Sequence, residues 1–460
     1  MLIVFLLVTL LKLVSGLPVR HSSTSSLQSL SIRADLGDAN QQRSLWDILK
    51  SSFATLFACI WLSIHPNIPA PSDGEWTQRR RRLTAMLCAL IVPELVFVWA
   101  LRQWWAANQI AKAHKGRGWT RVHGFFVSMG GFVLTKGNRV PLDADQIVKL
   151  EARGLIKWPD ISKEEIQDRS KGDFLAKSVA LVQTTWFVVQ CIARFQQRMT
   201  VTELELVTVA YAGLNVALYL TWWNKPLDVR SPAPVVETAT KEIMQVLYGA
   251  PRDDGASETT VDDTATLSKL SIVVDSSSVS KSKPSLRLMP SPRKALHNLL
   301  RFFAWLARPF NGMLTANEIH RGANRVPTFY APDFEKEGKN NYYIGLGLLV
   351  AMLFGVIHCV GWNFDFPTSQ ERFLWRLAAA YIAVAPLPFQ LLGSAILRHR
   401  KTGSRRSRVF MYMSARAWYS ILALYVLARF ALLVLPLIAF RKLPSGAYVD
   451  LAWSQYIPHV

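Results

Sequence analysis

Charge and cysteine are both scarce in this sequence. Only 18% of its 460 residues are charged, whereas a soluble protein carries about 25%. Its cysteines lack the paired spacing of a zinc site and the density of a disulfide framework, so neither is expected. All of them lie inside apolar runs, where a free thiol packs as a small apolar group: Cys59, Cys88, Cys191 and Cys359.

Familiar catalytic and nucleic-acid motifs are also missing. The nine histidines show no iron-binding spacing of a desaturase, and neither a Walker motif nor a Gly-x-Ser-x-Gly elbow occurs. The net charge of +21 is not accompanied by a zinc finger, a base-reading helix or an RNA-binding aromatic motif. We therefore expect no cofactor, no metal and no nucleic-acid partner, and we favour a non-enzymatic protein.

Long apolar runs dominate the chain instead. Half of the residues are hydrophobic, 16 of them are Trp, and the apolar runs are about 20 residues long, enough for a helix to cross a bilayer. The pattern predicts an all-α, polytopic transmembrane helix bundle with about seven spans plus one re-entrant or short segment. The predicted spans are Ile48–Ile64, Leu83–Trp104, Phe174–Ile192, Leu204–Trp223, Tyr342–Trp362, Phe373–Leu397 and Trp418–Phe440.

The remaining segments complete the predicted organisation. Val122–Leu134 is too short to cross straight, so we interpret it as re-entrant or interfacial. The apolar start resembles a signal peptide, or an uncleaved anchor since Lys12 interrupts it. The predicted regions are 1–16 (signal or anchor), 17–44 (flexible), 45–250 (first transmembrane bundle), 251–293 (disordered cytosolic insertion), 294–340 (amphipathic cytosolic linker) and 341–460 (second transmembrane bundle).

The basic loop 398–416 sets the predicted orientation. By the positive-inside rule this loop is cytosolic, and counting back over seven spans places 105–173 and 224–341 in the cytosol as well. The same count places 65–82 outside although it contains four consecutive arginines, and it leaves 18–44 inside. A crossing at Val122–Leu134 removes both conflicts and gives eight spans. We favour seven spans, with that segment re-entrant.

Two charges lie inside predicted spans, where a charge costs about 2.5–3.5 kcal/mol on insertion scales. Glu94 follows Pro93 in the second span, and Arg429 lies in the middle of the seventh. They can serve as an ion relay or a substrate counter-ion, or they can form a buried pair that fixes helix packing; we favour the pair. Asn215, in the fourth span, can hydrogen-bond across to another helix.

A second group of polar candidates lies at helix ends. Glu205 follows Thr202 at the spacing of a capping box, and Glu203 stands between them. His123 is isolated beside Gly124 and is more simply explained as structural. The cytosolic ends of spans three and four supply another possible site, formed by Lys171, Asp173, Lys225 and Asp228.

Several stretches together resemble a large, uncharacterised family of fungal multi-pass membrane proteins. The resemblance covers about residues 44–232 well and the last three spans loosely. It implies a polytopic fold and a fungal source, but no reaction. The stretches include Trp46-Asp47-Ile48, His123-Gly124-Phe125-Phe126, Met129-Gly130-Gly131-Phe132, Ser170-Lys171-Gly172-Asp173, Gln190-Cys191-Ile192-Ala193-Arg194, Thr202-Glu203-Leu204-Glu205 and Trp222-Trp223-Asn224-Lys225-Pro226-Leu227-Asp228-Val229.

Several classes of function stay open at this point. The first is a transporter, channel or sensor for an ion or an unknown small molecule, with its site at Glu94, Asn215 and Arg429. The second is a membrane enzyme or accessory protein of lipid or secondary-metabolite metabolism, with its site at the cytosolic helix ends. A third is a scaffold that uses the long insertion. In each case the expected partner is the lipid bilayer, of an endomembrane or of the plasma membrane.

Overall fold

The structure is a computed structural model, and it is mostly α-helical. The chain forms two compact units, residues 1–238 with 309–460, and residues 239–308. The predicted signal segment, the predicted insertion, nearly all of the predicted flexible segment and part of the predicted linker lie outside the described residues. The described residues are 43–61, 64–134, 139–170, 173–238, 240–248, 308–314, 319–320, 322–332, 342–400 and 405–451.

The larger unit contains most of the helices and one pair of strands. Short 3-10 turns follow three of the helices, at Lys115–Arg117, Val360–Asn363 and Phe440–Lys442. In chain order the elements are α1 (Leu45–Trp61), α2 (Glu75–Ile91), α3 (Pro93–Ala113), α4 (Arg121–Ser128), β1 (Phe132–Leu134), α5 (Ala144–Ala152), α6 (Lys163–Asp168), α7 (Asp173–Gln196), α8 (Glu203–Trp222), β2 (Ala233–Val235), α10 (Tyr342–Cys359), α11 (Ser369–Val384), α12 (Pro386–Arg400) and α13 (Arg405–Ala439).

The smaller unit is represented by helix α9 (Thr240–Tyr248). Ile243 is fully buried, whereas Glu242 and Met244 are exposed. This one-sided burial is typical of a short amphipathic helix.

Helix α8 is the centre of the larger unit. It contacts α1, α3, α7, α10 and α13. In its most apolar stretch 72% is buried inside the protein, against 22–39% in the other three helices that could cross a membrane. Its start is the predicted capping box, which is confirmed. The Thr202 hydroxyl accepts from the Glu205 N–H (3.3 Å), and the Glu205 carboxylate accepts from the Thr202 N–H (2.8 Å).

A sharp break divides the predicted span Leu83–Trp104. Pro93 has no N–H to donate, and its ring disfavours helical backbone angles at the residue before it. Val92 accordingly leaves the helix (φ −137°, ψ 59°), so α2 ends at Ile91 and α3 begins at Pro93. The two helices are bent by 114°. The prediction of one continuous helix was therefore wrong here, because it gave Pro93 too little weight.

The segment Val122–Leu134 is not a crossing helix. It consists of the eight-residue helix α4 and strand β1, which pairs in parallel with β2, Phe132 beside Ala233. Helix α4 lies directly against α3 at Gly124, where a Cβ would be 2.4 Å from the carbonyl oxygen of Ala107. Eight helical residues extend only about 12 Å. The eight-span alternative is therefore wrong, while the interfacial location of this segment stays a prediction.

Four helices in the described part of the chain are long and apolar enough to cross a membrane. They coincide with predicted spans four to seven, and a fifth is possible if the bent pair α2–α3 counts as one span. Helices α1 and α7, of 17 and 24 residues, coincide with predicted spans one and three but are not among the four. The predicted count of about seven spans is therefore not supported by the described residues. The four are residues Glu203–Trp222, Ile344–Asn363, Ser369–Ile396 and Val409–Lys442.

Candidate functional site

Arg429 is the centre of a buried polar cluster where α13 passes the break between α2 and α3. Its Nε donates to the carbonyl oxygen of Ile91 (3.2 Å), and one Nη lies 3.5 Å from that of Leu90 and donates to the Tyr211 hydroxyl on α8 (2.5 Å). The break leaves the last carbonyls of α2 without helical donors. A cation at this C-terminus satisfies them and is also favoured by the helix dipole.

Aromatic side chains of α8 and α10 enclose the guanidinium. Its central carbon lies 4.5 Å from the ring centroid of Phe354 and 5.3 Å from that of Tyr211. The other Nη lies 3.5 Å from Nε2 of His358. Because Nδ1 of His358 lies 2.8 Å from the Phe354 carbonyl oxygen, which only accepts, Nδ1 carries the proton. Nε2 therefore presents its lone pair to Arg429.

Glu94 lies just beyond the break, as the second residue of α3. It is only 4% exposed, and its Oε2 has no hydrogen-bond partner among the described residues. Arg429 and Tyr425 of α13 both act electrostatically on this carboxyl group. Within the described chain, however, Glu94 and Arg429 form no direct ion pair. The structure thus brings the two predicted residues together as neighbours rather than as a bonded pair.

The third predicted member of this site, Asn215, faces a different neighbour. It lies one turn beyond Tyr211 on α8, is 3% exposed, and its carboxamide lies beside the Cys59 thiol of α1. That sulfur is 3.7 Å from the Thr184 hydroxyl of α7. Oδ1 of Asn215 has no hydrogen-bond partner in the part of the chain that the structure describes. Asn215 therefore belongs to the packing of α1, α7 and α8.

The acidic residues at the first turn of α8 lie at one end of the bundle. Glu205 forms an ion pair with Arg43 (2.6 Å) in addition to its capping role. Glu203 is 4% exposed, and the carboxylate of Asp365 acts on it with like charge. Neither residue belongs to the Arg429 cluster, because both lie at the start of α8 and not at the α2–α3 break.

The same end gathers both ends of the described chain. Arg194, 1% exposed at the end of α7, donates to the carbonyl oxygens of Thr200 (2.8 Å) and Val449 (2.7 Å). The backbone N–H of Arg43 donates to the carbonyl oxygen of Tyr448 (2.9 Å). The guanidinium of Arg194 thus fastens the C-terminal segment to the turn between α7 and α8.

A second buried cation, Lys225, lies just beyond the other end of α8 and is 1% exposed. Its ammonium donates to the backbone oxygen of His65 (2.5 Å), to Oε1 of Gln103 (2.9 Å) and to Oδ1 of Asn67 (3.4 Å). An ammonium has three N–H donors, so these three oxygens satisfy it completely. Among the described residues, no carboxylate pairs with it.

Two indole rings complete what we call the Lys225 cage: Lys225, His65, Asn67, Gln103, Trp99 and Trp222. The ammonium lies 4.7 Å from the ring centroid of Trp222 and 4.9 Å from that of Trp99. The Trp222 N–H in turn donates to Gln103 (3.1 Å). Burial lowers the pKa of Lys225, while the oxygens and the π faces favour its charged form.

The other residues predicted at the cytosolic helix ends do not join the cage. Asp228 pairs with Arg82 (3.2 Å) and its side chain is 41% exposed. Asp173 begins α7, but its side chain, like the whole of Lys171, lies outside the described residues. The described part of this predicted site is therefore one fully bonded cation and one surface ion pair.

His123 has a structural role in the first turn of α4. Its Nδ1 accepts the backbone N–H of Thr120 (3.1 Å), so Nε2 carries the proton and donates to the carbonyl oxygen of Ile161 (2.9 Å). Both ring nitrogens are thus occupied, and the ring is neutral in this arrangement.

Sequence reasoning missed several members of both clusters. His358 was detectable, because it is a titratable residue inside the apolar run of α10. Gln103 was less visible, since it stands at the edge of its run. Tyr211, Tyr425 and the indoles were counted as apolar residues, so their polar atoms attracted no attention.

The fold and the cluster define a helical protein with candidate membrane spans and a buried polar site. Within the described residues, no group of three or more His, Cys, Asp or Glu side chains could hold a metal ion. The chain belongs to a family of unknown function, DUF8562, whose profile matches residues 17–261 and 345–460. No curated protein and no solved structure matches the chain.

Proposed function

We propose that this chain is an integral membrane protein, of an endomembrane or of the plasma membrane, that moves a small solute or an ion across the bilayer. The observation that carries this proposal is the position of the Arg429 cluster, at the break between α2 and α3 and against three apolar helices. Broken helices whose free backbone ends meet a buried polar group are typical of transporter binding sites.

The outer surface of the larger unit supports a bilayer environment. Large apolar side chains project outward from several helices, and a water-soluble protein rarely exposes them in such number. Helix α13 is strongly apolar, yet only a third of its most apolar stretch is buried inside the protein. Examples are Phe57 (56% exposed), Val182 (70%), Phe373 (66%), Leu427 (63%) and Phe430 (64%).

Contacts between loops indicate how the chain would thread the bilayer. Residue 43, the turn 197–202 and residues 446–449 lie together at one end of the bundle. Hydrogen bonds of Arg194 and Arg43 and the ion pair between Arg43 and Glu205 join them. We call this the first end. Arg441 forms an ion pair with Glu371 there, and this pair joins the end of α13 to the start of α11.

The opposite, second end collects the longer loops. The N–H of Ile68 donates to the carbonyl oxygen of Met129 (3.0 Å), and Asn67 donates to that of Pro327 (3.1 Å). Arg82 reaches Asp228 there. Residues 64–82, the loop before α7, the loop after α8 and residues 322–332 therefore share one side.

These contacts favour six crossings and one re-entrant pair. Helices α1, α7, α8, α10, α11 with α12, and α13 each run from one end to the other. Helices α2 and α3 both have their outer ends at the second end, and their break lies at the depth of Arg429. The re-entrant element would then be α2–α3, and not the segment after it.

This threading removes both conflicts in the predicted orientation. The basic loop 398–416 would lie at the second end together with Arg79–Arg82, so both would be cytosolic. Arg43, at the first end, would then lie outside, on the side where a cleaved signal peptide leaves the chain. Six crossings with a re-entrant pair thus replace seven spans in our proposal.

The alternative of an enzyme at the cytosolic helix ends has less support. The three N–H donors of Lys225 are all used within the cage, and Asp228 is paired at the surface. A catalytic group needs a free donor, acceptor or lone pair directed at a substrate. A scaffold that acts through 251–293 rests on residues outside those described.

Single cysteines test the threading. Ser72→Cys and Lys115→Cys, both exposed at the second end, are expected to react with a membrane-impermeant maleimide from one side of sealed vesicles, and Ser445→Cys from the other. Cys59, Cys88 and Cys191 are buried, and Cys359 is replaced by Ser to lower the background. Reaction of Ser72→Cys and Ser445→Cys from the same side would overturn the topology.

Purified protein in liposomes tests transport. We would measure currents with H⁺, Na⁺, K⁺ and Cl⁻ gradients, and vesicle swelling with glycerol, urea and glucose. Wild-type protein is expected to move at least one of these probes, and Arg429→Gln to reduce that flux about tenfold or more. The matched control is Arg80→Gln, an exposed arginine of α2. Wild-type fluxes equal to those of protein-free liposomes for every probe would refute the proposal.

A further inference from the structure

We propose that Glu94 is a proton-binding switch: its carboxyl group is protonated in the arrangement seen, and loss of the proton draws Arg429 away from the end of α2. The proton would then be the ion that the α2–α3 break binds. The use of this switch in transport rests on the proposed function, whereas proton binding by Glu94 stands apart from it.

The hydrogen bonds of Arg429 indicate the charge state of Glu94. Its hydrogen bonds go to uncharged acceptors, namely the Ile91 carbonyl, the Tyr211 hydroxyl and, at the long limit, the Leu90 carbonyl. A guanidinium beside an ionised carboxylate in an apolar interior normally forms a direct, often bidentate, ion pair. Its preference here for neutral oxygens indicates that the neighbouring carboxyl group carries no charge.

The environment of Glu94 carries the second step. Its Oε2 is buried and has no hydrogen-bond partner among the described residues. An ionised carboxylate in that position would lose the solvation of its lone pairs without replacement, whereas the protonated group loses far less. An unbonded buried oxygen is therefore the mark of the neutral acid, and it also leaves a position that a new donor can take.

The groups packed around Glu94 supply that donor. Helix α13 contributes Arg429 and Tyr425, whose hydroxyl also has no hydrogen-bond partner in the described chain. The remaining titratable groups near the break are uncharged in this arrangement: the Tyr211 phenol of α8, the neutral His358 of α10 and the buried Cys88 thiol of α2. Arg429 is thus the one fixed charge that these elements direct at the site.

The switch has a simple charge balance. In the protonated state the cluster carries the single charge of Arg429. When the O–H bond of Glu94 breaks, its electron pair stays on the carboxylate, the proton passes to water, and the cluster becomes neutral overall. The new carboxylate attracts the guanidinium, so the Ile91 carbonyl loses the donor that Arg429 supplies, while the Leu90 carbonyl keeps the Tyr211 hydroxyl. The end of α2 is then held less firmly.

Infrared spectroscopy of the protein in lipid nanodiscs tests proton binding without any substrate. The wild type is expected to show the carbonyl stretch of a protonated carboxylic acid that disappears at a pH at least about one unit above that of exposed carboxylates. Glu94→Gln removes this band. Because Glu203 is also a buried acid whose carboxyl group can contribute to this band, the measurements are made in a Glu203→Gln background. The control is Glu75→Gln, at an exposed acid, which retains the band.

The following outcomes decide the proposal. If the wild type lacks the band, or if Glu94→Gln retains it, Glu94 is not the proton-binding group, even when the liposome experiment shows transport. If Glu94→Asp restores the band with a shifted midpoint, the loss in Glu94→Gln is not caused by misfolding. A band that depends on Glu94, without flux of any tested probe, supports the switch and refutes only the transport function.

Discussion

Two of the buried cations in the larger unit, Lys225 and Arg429, have opposite surroundings. Lys225 has three proton donors and three oxygen acceptors around it, with two indole faces closing the cage. Arg429 is equally buried, yet beside it Glu94 and Tyr425 leave oxygens without hydrogen-bond partners among the described residues. One cluster is complete within the protein, and the other is not.

This difference separates structural from functional burial of charge. A buried cation whose donors are all satisfied has no reason to exchange partners, and its removal leaves several acceptors unpaired. A buried cation beside an unbonded acid has two competing sets of partners, so a small change in charge can redistribute its bonds. We therefore expect stability to depend mainly on Lys225, and activity mainly on Arg429 and Glu94.

The largest effect on stability is expected for Lys225→Met. The side chains are similar in length, but the oxygens of His65, Asn67 and Gln103 would each lose the ammonium as a donor in a dry site. Asn67 would keep the Gln103 amide, and Gln103 would keep the Trp222 indole. The loss should be about 3 kcal/mol or more, measured by equilibrium unfolding in mixed micelles or as a lower melting temperature.

The matched control is Lys50→Met, at a lysine whose side chain is 73% exposed and whose ion pair with Asp47 is long. Its effect should be below about 1 kcal/mol. If both variants unfold alike, the cage contributes nothing beyond an ordinary surface lysine, and the contrast between the two cations fails.

The next effect is expected at the adjacent tryptophans at the end of α8. Trp222→Phe removes the hydrogen bond to Gln103 and part of a ring that is fully buried, so we expect a loss of about 2 kcal/mol. Trp223→Phe changes the same residue type at a position 64% exposed, and should cost less than about 0.5 kcal/mol. Equal losses from both variants would show that the indole of Trp222 is not specifically part of the cage.

The sequence reveals the main residues of the Arg429 cluster but not the Lys225 cage, for physical reasons. Glu94 and Arg429 stand out because a charge inside an apolar run is costly, and Pro93 marks the break of α2 and α3 through its missing N–H. The capping box at Thr202 is similarly local. The Lys225 cage is not visible in this way, because its members come from three separate segments.

Long-range pairing also explains what sequence reasoning misplaced. The run Val122–Leu134 has the composition of a re-entrant segment, but β1 pairs with Ala233–Val235, about a hundred residues later. Hydropathy alone measures how apolar a run is, not which surface it meets. The same limit applies to α2, whose Arg81 and Arg82 form ion pairs with Asp73 and Asp228 at the second end.

The smallest effect on stability is expected for Tyr425→Phe, which tests whether the phenol takes part in the proton switch. Its hydroxyl has no hydrogen-bond partner among the described residues, so its removal should change the free energy of unfolding by less than about 1 kcal/mol. The phenol acts on Glu94 and can donate to its ionised form. Without that donor the ionised form is less stable, and the infrared band of Glu94 should persist to higher pH. The control is Tyr412→Phe, an exposed tyrosine of the same helix. If the band midpoint is unchanged in Tyr425→Phe, the phenol takes no part in the switch, and the Arg429 cluster is closer to the Lys225 cage than we argue.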